Sequence, residues 1–240
     1  MAEAQRVLVI GGTRGTGRLI VELLYERGYR VRVLARDPER AATAVGAMAE
    51  VVAGDLTKPE TLPPAVRQVD HVIVTAGVPS GRYAPEALVK RTDHDGMIDT
   101  IESARKEGFR GRFLYLNSIG IDTPSVSAFL INRLKRNTFG WRRRVEEALR
   151  ASGMDYTIIR VGFLLDRPAG TRAIRVSQEP LPLAPWNRIA RADVAAAFVA
   201  ALDHPRASRA TFEIVWRKGD PAASWPQRLD AVVPDARHAA

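Results

Sequence analysis

The sequence contains no cysteine, which excludes a disulfide framework, a thiolate nucleophile and any cysteine-ligated zinc. Its four histidines, His71, His94, His204 and His238, are scattered without the short spacings of a metal site, so they read as surface or loop residues and no metal is expected. No apolar run approaches the about 18 residues that a membrane-crossing helix requires. The first apolar strand begins by Arg6, which leaves no room for a leader, so a cytoplasmic protein is the expectation. Internal repeats and low-complexity tracts are also missing. A chain of 240 residues can bury a core large enough to need no staple, as one domain or one domain with a small elaboration.

Positive charge is in excess: 36 Lys and Arg stand against 27 Asp and Glu, a net +9. Such a balance suits nucleic acid, anionic membranes or phosphorylated ligands. The densest cationic run, from Lys135-Arg136 to Arg142-Arg143-Arg144, is interleaved with Leu134, Phe139, Trp141, Val145 and Leu149. That is the pattern of a solvated helix face first, and of a phosphate-facing site second. No aromatic–basic alternation of a nucleic-acid module is present. The expected partner is a small-molecule substrate, with neither nucleic acid nor membrane.

The chain turns on one stretch, Val7-Leu8-Val9-Ile10-Gly11-Gly12-Thr13-Arg14-Gly15-Thr16-Gly17-Arg18. Branched apolar residues break into glycines and resume at helical spacing with Leu19, Ile20, Leu23 and Leu24. A buried strand, a tight turn and an opening helix are predicted. Bare backbone there lets a diphosphate approach a helix N-terminus, where free N–H groups favour anions. A mononucleotide or dinucleotide is therefore the first ligand to consider.

Further apolar strands are predicted at Arg30–Ala35, Val51–Ala53, Asp70–Val74, Phe113–Leu116, Asp155–Arg160 and Ala210–Trp216, with helices at Ala87–Glu107, Leu134–Ser152 and Arg191–Asp203. Strands that are apolar almost throughout and alternate with helices indicate an α/β fold, a doubly wound parallel sheet of the Rossmann type. The strands end in Gly11-Gly12-Thr13, Arg36, Asp55, Ala76-Gly77, Asn117-Ser118 and Gly162, which places these residues on one ligand-facing rim. One domain is expected over 1–216, with substrate-side loops at 121–140 and 163–190 forming a small elaboration. A partly ordered tail is expected over 217–240, because Pro221, Pro226 and Pro234 interrupt it. The helices at 87–107 and 134–152 could pair two copies, so monomer or homodimer both remain open.

These residues resemble the short-chain dehydrogenase/reductase superfamily, and within it the atypical, NmrA-like and biliverdin-reductase-B-like NAD(P)-binding branch. The likeness runs through the glycine turn, Gly54-Asp55-Leu56, Thr75-Ala76-Gly77, Asp93-His94-Asp95-Gly96, Ser103-Ala104-Arg105, Leu149-Arg150-Ala151-Ser152-Gly153, Tyr156-Thr157-Ile158-Ile159-Arg160 and Ile189-Ala190-Arg191-Ala192-Asp193-Val194-Ala195. It implies a cofactor held by Gly11, Thr13, Arg14, Gly15, Thr16 and Gly17, with Asp55 and Leu56 at the adenine and Ala76 and Gly77 covering it. Asn117, Val161, Gly162 and Phe163 would flank its far end. Arg36, with Arg14, favours NADP(H) over NAD(H), since arginine accommodates a 2′-phosphate. Asp37 would exchange that role if the strand ended one residue later.

The superfamily's catalytic Tyr and Lys positions fall on Thr138 and Arg142, so only Ser118 of the usual set has a match. The tyrosines Tyr25, Tyr29, Tyr83, Tyr115 and Tyr156 do not precede a lysine by four residues. Ser118 and Arg142 are the catalytic candidates, Arg142 for a cofactor phosphate or an acidic substrate. The resemblance implies an NADP(H)-dependent oxidoreductase that passes hydride to a flavin, quinone, tetrapyrrole or biosynthetic intermediate. An NmrA-type binding protein without turnover and a non-redox isomerase or cyclase are the alternatives.

Overall fold

The computed structural model describes residues 4–78, 84–221 and 223–235; Tyr83, His238 and the last five residues of the expected tail lie outside them. In chain order the elements are β1 (Arg6–Ile10), α1 (Gly15–Glu26), β2 (Arg30–Ala35), α2 (Pro38–Val45), β3 (Glu50–Ala53), α3 (Pro63–Val66) and β4 (His71–Val74). Then come α4 (Glu86–Lys90), α5 (Gly96–Lys106), β5 (Arg112–Ser118), α6 (Val126–Leu134), α7 (Thr138–Ala151), β6 (Asp155–Val161) and β7 (Phe163–Leu165). The remainder is β8 (Ala173–Ser177), β9 (Arg188–Ala190), α8 (Arg191–Ala201), β10 (Ala210–Arg217) and α9 (Trp225–Leu229).

Eight strands form one sheet in the order β3-β2-β1-β4-β5-β6-β10-β8. All its pairings are parallel except β10 with β8. A small second sheet joins β7 to β9. The protein is a doubly wound α/β fold. Strand order reverses between β1 and β4, and that reversal opens a crevice at their C-terminal ends.

Alternation along β1 feeds two cores, because successive side chains point to opposite faces. Val7 and Val9 join Val33, Ile73, Leu114, Ile159 and Phe212 beneath α1 and α8. Leu8 and Ile10 join Val72, Val74, Phe113, Tyr115 and Ile158 beneath α5 and α7. Helix α1 buries one stripe, Ile20, Val21 and Leu24, and turns the Arg18–Glu22 ion pair (3.0 Å) outward. Helix α8 is apolar nearly all round, as a helix covered on several sides must be, with Val194, Ala195, Ala197, Phe198, Val199 and Ala201 all buried.

Three stretches differ from the sequence reading. The single helix expected over 87–107 is α4 and α5 joined by a π-helical turn, Arg91–Asp95. The expected loop at 121–140 contains α6, and the loops at 163–190 include β7, β8 and β9. The chain after 217 does not trail away: Leu229 of α9 and Val232 just beyond it pack into the α1/α8 core. Asp235 accepts hydrogen bonds from Tyr156 (2.9 Å) and Thr211 (2.6 Å).

Candidate functional site

The glycine turn is pressed against the end of β4. Gly11 has φ +92°, and a Cβ there would lie 2.8 Å from both the Ala76 nitrogen and Thr75 Oγ1. At Gly17 a Cβ would run into the Gly11 carbonyl oxygen. Only bare backbone closes this bend. Arg14 caps α1 in an extended conformation without a side-chain hydrogen bond, and no acidic residue lies in the first turn. The first N–H groups of α1 are thus left to an anion. These features fit a dinucleotide diphosphate, with Thr13 and Thr16 in the same bend.

Arg14 and Arg36 are both exposed, and neither makes an ion pair among the described residues. Asp37 is diverted: it caps α2, its Oδ1 accepting from the Arg40 nitrogen at 3.0 Å. The residue at the end of β2 that faces the rim is therefore Arg36. Asp55 follows β3 and closes its own turn, Oδ1 accepting from the Thr57 nitrogen at 2.8 Å, while Leu56 is buried beside it.

At the end of β4 the chain passes Ala76 and Gly77 under a buried carboxylate. Asp93, in the π-helical turn and 3% exposed, accepts from the Val78 nitrogen (2.9 Å), Thr138 Oγ1 (2.7 Å) and Arg142 Nε (3.3 Å). A Cβ on Gly77 would strike the Arg142 guanidinium, so the two lie in contact. Burial works against the Arg142 charge, but Asp93 and Tyr115 more than offset it and hold its pKa above the ordinary value. The positions where the resemblance expects Tyr and Lys thus form a carboxylate clamp around Asp93. Tyr115, directly below, is sealed, and burial pushes its phenol up, away from proton donation.

Ser118 ends β5 half-buried, its hydroxyl donating to the Ile119 carbonyl at 3.0 Å. Asn117 is turned inward and is 1% exposed; its amide donates to Glu146 Oε1 (2.6 Å) while its oxygen accepts from the Ser118 nitrogen (2.9 Å). It positions Ser118 from below. Glu146 is fully buried and also accepts from Arg160 Nε (2.9 Å), Arg160 Nη2 (2.6 Å) and Arg150 Nη2 (2.9 Å). Arg160 reaches on to Asp122 (2.6 Å) and Glu213 (3.4 Å). Burial raises the Glu213 pKa against the pull of the Leu181 nitrogen and Arg160. Val161 is buried, Gly162 has its Cβ direction blocked by the Asn187 carbonyl, and Phe163 joins the cluster under α6.

The structure therefore gathers the glycine turn, Arg36, Asp55, Ala76, Gly77 and Ser118 along one rim. It sets Asn117, Val161 and Arg142 below that rim, in buried contacts. Sequence reading missed the contacts of Asp93, Glu146 and Glu213.

The model of a family described as NAD(P)H-binding matches residues 11–205, spanning the rim from the glycine turn to α8. Sanguinarine reductase of Eschscholzia californica is 30% identical, the match covering 87% of this chain and 88% of that protein. The photosystem II assembly factor Ycf39 of Synechocystis is 28% identical over 88% of this chain but only 62% of its own length. Among solved structures, a putative NAD-dependent epimerase/dehydratase from Bacillus halodurans superposes with a TM-score of 0.77 at 26% identity, covering 93% of this chain and all of that one. No helix among the described residues is long and apolar enough to cross a membrane. The chain belongs to the NAD(P)H-binding family, in the NmrA-like, atypical branch of the short-chain dehydrogenase/reductases.

Proposed function

We propose that the protein is an NADP(H)-dependent reductase that passes hydride to a bulky, largely apolar organic acceptor. The observation on which this rests most is the arginine pair at the rim, Arg14 and Arg36, with Asp37 withdrawn into a helix cap. An acidic residue at the end of β2 would select the unphosphorylated ribose; an arginine accommodates the 2′-phosphate. When bound, the cofactor supplies the hydride. The chain's residues hold and orient: the glycine turn and α1 take the diphosphate, Gly77 and Val78 are tied down by Asp93, and Ser118 faces the acceptor. Kinship with sanguinarine reductase supports reduction as the chemistry.

The acceptor's character is read from α6 and the proline-rich loop, which pack on Ile119, the residue after Ser118. Val126, Phe129, Leu130 and Leu134 of α6 and Trp186 of the proline-rich loop are large apolar residues left exposed. Ser125 ties α6 to that loop, its hydroxyl donating to the Leu183 carbonyl at 2.8 Å. An exposed apolar face beside a cofactor rim suits an apolar substrate. With Thr138 and Arg142 clamped and Tyr115 sealed, the acceptor's proton comes from water or from the acceptor's own surroundings. Flavins, quinones, iminium alkaloids and linear tetrapyrroles meet that demand.

The clamp also favours a second reading, an NmrA-type protein that binds the dinucleotide without turning it over, and the assembly-factor relative supports it. One measurement separates the two. NADPH oxidation is followed with the purified chain against flavins, quinones, linear tetrapyrroles and sanguinarine. Turnover on one of them, faster with NADPH than with NADH, is the expected result. Tight NADPH binding with no oxidation on the whole panel transfers the case to the binding-protein reading.

A further inference from the structure

Arg191 is the first residue of α8. A positive charge in a first helical turn opposes the helix dipole. The acid of that turn, Asp193, does not serve Arg191: it is buried and accepts from the Gly170 nitrogen and Trp216 Nε1, both at 2.8 Å. Arg191 instead leans across the glycine turn. The place a Cβ would take at Gly15 is 3.6 Å from Arg191 Nε and 3.8 Å from its Cδ. Gly15 has φ +54°, and among the described residues outside its own helix and neighbours these arginine atoms alone come within 4 Å of that place.

The side chain is delivered there by construction. Strand β9 ends at Ala190, paired with Leu165 of β7, so Arg191 and Asp166 leave the small sheet side by side. They meet in an ion pair, Arg191 Nη1 to Asp166 Oδ1 at 3.0 Å. Asp166 is 89% exposed, so water screens the pair and it holds Arg191 only weakly. The start of α1, its N-cap Arg14 and the Arg191 side chain thus meet at one bend. That concentration of positive potential is made for an anion of more than one charge.

We propose that Arg191 is a ligand of the dinucleotide's diphosphate, with Asp166 as the resting counter-ion it leaves when the cofactor binds. Arg14 and Arg36 then choose between the phosphorylated and unphosphorylated cofactor, whereas Arg191 grips what both share. The inference rests on the dinucleotide binding proposed above, and its test keeps the two apart. Binding of NADPH, NADH and ADP-ribose to the full chain is measured by calorimetry; ADP-ribose keeps the diphosphate but lacks both nicotinamide and 2′-phosphate.

Arg191→Gln is expected to weaken all three ligands alike, by about tenfold, the worth of one charge-assisted contact, leaving the NADPH-to-NADH ratio unchanged. Asp166→Asn, a change at an exposed position that leaves the fold intact, is expected to tighten all three by about twofold to fivefold. Combined with Arg191→Gln, it should add nothing. Unchanged affinities in Arg191→Gln overturn the assignment while the reductase reading stands, and so does an effect confined to NADPH. Wild-type protein that binds none of the three ligands overturns both.

Discussion

The two ends of the strand rim are built by opposite means. Around β1 and β4 the site is backbone: Gly11 and Gly17 lie where any side chain would collide with a neighbouring main chain, and the groups offered to a ligand are N–H dipoles. Around β5, β6 and β10 it is ionic. Glu146, Arg160, Asp122 and Glu213 are drawn together beneath Ser118 from four separate segments. A backbone site has one solution, fixed by steric contact; an ionic floor can be rewired residue by residue while the rim above it stays in place.

The contrast can be broken at either end. The largest effect is expected from Gly17→Val, whose side chain has no space beside the Gly11 carbonyl: dinucleotide affinity should fall more than about a hundredfold and the melting temperature should drop, seen by calorimetry and thermal melting. Next is Glu146→Gln, which removes the charge that Arg160 and Arg150 share. It should lower stability by about 3 kcal/mol in denaturant titration, the loss typical of a broken buried ion pair, yet move NADPH affinity little. If binding fell as far as stability, the two ends would be one unit.

Arg36→Ala should weaken NADPH by about tenfold and leave NADH unaltered, in side-by-side titrations. The smallest effect is expected at Glu213. Burial raises its folded pKa above the usual carboxylate value, so its stabilising contribution is present below about pH 4.5 and is lost as pH rises through the folded pKa. Glu213→Gln keeps an acceptor for the Leu181 nitrogen and removes the burdened charge. Its melting temperature should therefore match wild type in acid and exceed it by about 2 °C at pH 8. A drop at pH 8 would mean that the Arg160 pairing outweighs desolvation.

How much was legible in the sequence follows the same division. Strands buried on both faces write themselves as unbroken apolar runs, so seven of the eight strands of the sheet could be read from the sequence, while the antiparallel edge strand β8 could not. The ionic end could not. Asp93 meets Thr138 and Arg142 across more than forty residues, and no spacing rule links them. Helix α6 escaped notice because its apolar side chains point to solvent, leaving Ala128 and Ile131 to mark the buried face. Prolines misled at the C-terminal end: Pro226 occupies the first turn of α9, where its missing N–H is no loss. The π-helical turn left no trace because Arg91-Thr92-Asp93-His94-Asp95 is polar in any register.

The clamp around Asp93 has an evolutionary corollary. Installing the superfamily's proton-donating pair would take Thr138→Tyr and Arg142→Lys, but the phenol would arrive against a carboxylate already bonded to the Val78 amide. A third change, at Asp93 itself, has to come with them, and it would free the Gly77-Val78 segment that this carboxylate now holds.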